Sequence, residues 1–78
     1  MSKTYEIIRA STQADEFDGD VFQVVEWAMG HAIDNGENAT IDAFYSIPAR
    51  WTGERRTRAM IEWARLAVHG KFEIREVE

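Results

Sequence analysis

The chain has 78 residues, 45% of them hydrophobic and 12% aromatic, with no cysteine. That composition specifies one globular domain over residues 1–78 and excludes a disordered chain, a disulfide scaffold and a Cys-type zinc fold. The net charge of −5 disfavours general nucleic-acid binding, because an acidic body repels phosphate at long range. No apolar run approaches the roughly 18 residues of a membrane span, and the opening MSKTYEIIRAS has no signal-peptide core, so a cytoplasmic, non-membrane protein is expected.

In chain order, Lys3–Ala10 alternates around Tyr5 and Ile7 and predicts a strand. Ser11–Gly19 is polar, acidic and turn-like. A helix is predicted from Asp20 to Asn35, with Gly36 placed as the residue that ends it. Thr40–Ile47 fits either a strand, with Ile41, Ala43, Tyr45 and Ile47 on one side, or a short helix stopped by Pro48. Its Ile, Thr, Phe and Tyr content favours the strand. A second long helix fits Gly53–His69, with Thr52 as N-cap and Gly70 beyond its end, and Lys71–Val77 alternates Phe72 and Ile74 with charges as a closing strand. The expected fold is α+β, with two main helices on a two- or three-stranded sheet in the order β-α-β-α-β. A two-stranded version with three helices is the alternative.

Two helical segments echo each other, Val25-Glu26-Trp27-Ala28 and Ile61-Glu62-Trp63-Ala64. At 100° per residue the two tryptophans face differently. Trp63 falls inside the apolar arc of Met60, Ile61, Ala64, Ala67 and Val68, and is expected in the core. In the first helix the arc is Val21, Phe22, Val24, Val25, Ala28, Met29, Ala32 and Ile33. Trp27 lies outside it, beside Asp20, Gln23, His31 and Asp34, and is either covered by Thr40–Ile47 or displayed among acids.

Charge is unevenly spread. Residues 1–49 carry nine acidic and two basic side chains, a local net of −7, whereas residues 50–78 carry five acidic and seven basic, a net of +2. The acidic half holds the first candidate surface, for a protein partner: Asp15, Glu16, Asp18, Asp20, Gln23, Trp27, His31, Asp34 and Glu37. A tryptophan among complementary polar groups has the composition of an interface hot spot, and carboxylates beside it suit a partner's Arg or Lys. Spaced acids can also imitate a phosphate backbone. Acids at a helix start are equally what the helix dipole favours, which accounts for Asp18 and Asp20 without a partner.

The alternative surface is basic: Arg50, Trp51, Arg55 and Arg56, with Arg58. It suits RNA or a nucleoprotein, or these arginines meet the acidic half of the chain, within the monomer or in a homodimer. Glu54, Arg58, Glu62 and Arg65 are spaced as a solvated helix ladder. The Asp18-x-Asp20 spacing lacks the further ligands of a calcium loop. With two isolated histidines and no phosphate loop or nucleophile triad, no metal, cofactor or catalysis is expected.

A short, acidic, cysteine-free chain built from YEIIRA, two Trp-containing helices and FEIREV resembles the small accessory proteins of bacteriophages and mobile elements, anti-CRISPR proteins among them. The resemblance is one of size and build across the whole chain and carries no residue roles. It implies a non-enzymatic inhibitor in the host cytoplasm that binds a defence or transcription complex (a Cascade-type effector, for example) and blocks nucleic-acid access, in some families by DNA mimicry. A small structural or assembly subunit is the remaining reading.

Overall fold

The computed structural model describes residues 3–77. Tyr5 and Ile7 point to one side of the first strand, β1 (Thr4–Arg9), and are buried. This apolar strand takes the centre of the sheet. β2 (Asp15–Gly19) and β3 (Phe72–Val77) pair antiparallel on either side of it, in the order β2-β1-β3. Between β2 and β3 run three helices, α1 (Val21–Asp34), α2 (Asn38–Tyr45) and α3 (Gly53–Ala67). α1 and α3 cover the sheet face carrying Tyr5, Ile7 and Ile74, and α2 packs on those two helices rather than on the sheet.

The α+β class is as expected, but the element order is β-β-α-α-α-β, not β-α-β-α-β. Two local readings change. The acidic segment read as a turn contains β2, a strand held by main-chain pairing with β1 and by one inward side chain, Phe17. Thr40–Ile47, favoured as a strand for its residue types, is mostly the helix α2. Helical spacing turns Phe44 towards Trp63, whose indole Nε1–H donates to the Thr40 carbonyl at 2.7 Å. Tertiary packing overrides strand propensity here.

The termini of α1 follow from local chemistry. Asp20 accepts from the Gln23 backbone N–H at 3.0 Å while the Gln23 side chain accepts from the Asp20 backbone N–H at 2.9 Å, a reciprocal capping box. Gly19 leaves room for it, since a Cβ there would sit 2.7 Å from Gln23 Oε1. At the other end Gly36 adopts φ +65°, its N–H donates to Ile33 O, and the Glu37 N–H donates to Ala32 O. This left-handed stop suits glycine. Asp20→Ala should cost about 1 kcal/mol of stability, read as a fall of roughly 4–8 °C in Tm; an unchanged melt by circular dichroism would show that the cap contributes nothing.

The core matches the predicted arc of α3 residue for residue: Met60, Ile61, Trp63, Ala64, Ala67 and Val68 are buried. The arc of α1 is narrower than predicted. Val24, Val25, Ala28 and Ala32 are buried, but Phe22 is 69% and Ile33 59% exposed.

Candidate functional site

Trp27 is neither displayed nor covered by Thr40–Ile47; that segment covers Trp63. Trp27 is partly buried against the sheet. Its ring meets Phe72, the first residue of β3, edge-on at 5.0 Å and lies parallel to the His31 ring at 6.0 Å. Phe72 pairs with Arg9 of β1, whose guanidinium sits 5.2 Å over the Phe72 ring and bonds Glu16 Oε1 at 2.9 Å. A chain of contacts thus links Glu16, Arg9, Phe72, Trp27 and His31 at the end of the sheet where β1 leaves and β3 enters.

Two shallow clefts adjoin along His31 and Phe72. One, about 400 Å³, is lined by Glu26, Trp27, Gly30, His31, Asp34 and Phe72. The other, about 370 Å³, is lined by Arg9, Ser11, His31, Gly70, Lys71 and Phe72. Of the nine residues expected to form one acidic surface, Trp27, His31 and Asp34 share the first cleft. Asp20 and Gln23 are occupied in capping each other, Glu16 is paired with Arg9, and Glu37 stands at the N-terminus of α2, where its Oε1 accepts from Thr40 Oγ1.

Asp15 and Asp18 lie elsewhere, on the sheet face away from the helices. Asp18 pairs with Glu6, Phe17 with Ile7, and Asp15 with Ile8, the register slipping between Ile7 and Ile8. That bulge places Asp15, rather than Glu16, on the side of Glu6 and Asp18, and the three carboxylates come within 4.8 Å of one another. Three oxygens from separate side chains are about half of a Mg²⁺ or Ca²⁺ shell, so the group is best described as concentrated charge. The Asp15 carboxyl titrates above its ordinary value of 3.8, through local loss of hydration first, then a hydrogen bond with Asp18 and the charges of Asp18 and Glu16.

A carboxyl whose pKa is raised by folding weakens the native state wherever it is ionised, and the native state gains relative stability as pH falls through the window between 3.8 and the raised value. Asp15→Asn should therefore raise Tm at neutral pH and lose that advantage at about pH 3. A gain that persists in acid would assign the effect to something other than charge.

Two arginines of the basic cluster, Arg55 and Arg58, have partners within the chain. The Arg55 guanidinium lies 4.0 Å from the Trp51 ring centroid, over one face of the indole. Arg58 reaches Glu54 at 3.9 Å, Arg56 is partly buried with its Nη1 unbonded, and Arg50 is exposed. Of the expected ladder on α3, the Glu54–Arg58 step forms an ion pair.

Sequence reasoning missed Glu6, Glu26, Gly30 and Phe72. The row Glu26, Gly30, Asp34 is readable at i, i+4, i+8 once the helix is placed. The meeting of Glu6 with Asp15 depends on strand register and a bulge, and Phe72 meets Trp27 only through the chain's return to the sheet. No protein-family model matches the chain, and comparison with curated proteins and with solved structures gives no significant match.

Proposed function

We propose that the protein is a non-enzymatic inhibitor that binds a Lys/Arg-lined surface of a larger complex and blocks nucleic-acid access to it. The observation that carries this reading is unspent charge. Of the nine acidic side chains in residues 1–49, Glu16 alone has a basic partner within salt-bridge distance among the described residues. Asp20 is engaged in capping α1 and Glu37 accepts from Thr40, but Glu6, Asp15, Asp18, Glu26, Asp34 and Asp42 have no ion-pair partner among the described residues. Instead, on α3, Arg55 stacks on Trp51, Arg58 reaches Glu54 and Arg65 donates to the Ile74 carbonyl.

Acidic groups left open on a slab of 38 × 34 × 15 Å present negative potential outward, which steers association with a basic surface. The resemblance to anti-CRISPR proteins points to a nucleic-acid-binding effector as the class of partner. The test is competition: a purified Cascade-type effector loaded with labelled duplex should release or fail to retain it when this protein is added. Undiminished DNA retention at saturating protein would overturn the reading for that class of partner.

A further inference from the structure

Gly30 sits in the interior of α1 with no packing reason for being glycine. It has no left-handed φ, and among the described residues a Cβ placed on it would meet nothing within 4 Å beyond its chain neighbours and the helix's own backbone. Glycine inside a helix weakens it relative to alanine. Its neighbour one turn on, Asp34, is an acid in the last turn, where the helix dipole disfavours negative charge. Glu26, one turn before, is also an acid with no basic partner among the described residues. These three residues, each set against the helix's own stability or left without a partner, line one cleft with Trp27, His31 and Phe72.

We infer that this cleft receives a single arginine side chain of the partner, an inference that rests on the proposed binding function and names the chemistry of its anchor. Glu26 and Asp34 are eight residues apart, roughly 12 Å along the axis at ~1.5 Å per residue, with Gly30 midway. A guanidinium lowered onto the bare backbone at Gly30 has a carboxylate on each side and the Trp27 indole as a wall. Arginine suits this better than lysine, because its planar fork addresses two carboxylates while its face stacks on an aromatic ring. The adjoining cleft carries Arg9 and Lys71, so a cation is directed to the Glu26–Asp34 side and an anion is not accepted there. A side chain at residue 30 would fill the floor.

The test is a ¹⁵N NMR titration of the whole chain with a blocked Gly/Ser peptide bearing one arginine, and with the same peptide bearing citrulline, which keeps the shape and lacks the charge. The arginine peptide should move the Gly30 amide and the Trp27 indole N–H saturably, and the citrulline peptide should bind at least ~10-fold more weakly, as loss of a charge-assisted fork requires. Gly30→Leu should abolish the response while Tm stays equal or rises, as helix propensity predicts; Gly30→Ala should weaken it. Equal binding of citrulline, or shifts confined to Glu6, Asp15 and Asp18, would overturn the inference. The two proposals separate cleanly. If Gly30→Leu still displaces duplex from the effector, the cleft is not the anchor and the inhibitor reading stands. If the wild type displaces no duplex yet binds the arginine peptide as described, the cleft stands and the inhibitor reading falls.

Discussion

Trp63→Ala should cost about 3–5 kcal/mol, the range for emptying a buried aromatic site. A domain of this length commands roughly 4–12 kcal/mol in total, so the variant should melt on the order of 10–40 °C lower. The reason is architectural. α2 has no fully buried residue of its own and is docked through others. Its chief anchors to α3 are the Trp63 Nε1–H bond to the Thr40 carbonyl at 2.7 Å and the Phe44 ring 4.9 Å from the Trp63 ring. Trp63→Phe separates the two contributions: it keeps an aromatic ring and deletes the donor, for about 1–3 kcal/mol. Amide exchange should then accelerate across Asn38–Tyr45 before it does in the strands, since α2 is the element least supported by burial. Urea titrations of both variants check the order. A Trp63→Ala loss below about 1 kcal/mol would mean that the site collapses around the missing ring. Trp27→Ala should be the milder of the two substitutions because that ring is only partly buried, although its contacts with Phe72 and His31 keep it from being a neutral surface probe.

The contrast between these tryptophans shows what could be read in advance. Both sit in nearly identical four-residue strings, and helical phase alone separated core Trp63 from peripheral Trp27. Phase is a local property, and local properties were legible: the ends of α1 at Asp20 and Gly36, the buried face of α3, and the alternation of β1 and β3. What failed depended on pairing and packing between elements. β2 is acidic and carries one inward apolar residue, so its strand character lies in main-chain pairing with β1. α2 has strand-forming residues, but takes the helical alternative that Pro48 allowed, and Trp63, 23 positions beyond Thr40, binds its backbone. The site divided in the same way. Trp27, His31 and Asp34, grouped from the sequence, share a cleft because one helix face holds them together. The acids of β2 were grouped with them by proximity in sequence, whereas strand alternation puts Asp18, and the bulge at Ile7/Ile8 puts Asp15, on the opposite side of the sheet, beside a Glu6 that no linear spacing implicates.

That division gives the second large effect its design. Reversing Asp15, Asp18 and Asp34 to lysine adds two units of charge at each position and carries the net from −5 to +1. None of the three has an ion-pair partner among the described residues. The fold should tolerate the change or gain from it. Lys at 15 and 18 faces Glu6 where three carboxylates now repel, and Lys at 34 suits the negative end of α1. Binding should respond oppositely. At 10 mM salt the screening length is about 30 Å, close to the 38 Å long dimension of the molecule, so the carboxylates of both faces act together on an approaching basic surface. At 1 M it is about 3 Å, and only groups in contact still count. Wild-type association with the effector should therefore slow steeply with salt, whereas the triple variant should associate roughly 10–100-fold more slowly at low salt and show little salt dependence. Stopped-flow or surface-based association rates across that range measure both slopes. A wild-type rate indifferent to salt would assign recognition to apolar contact and remove outward negative potential from the mechanism.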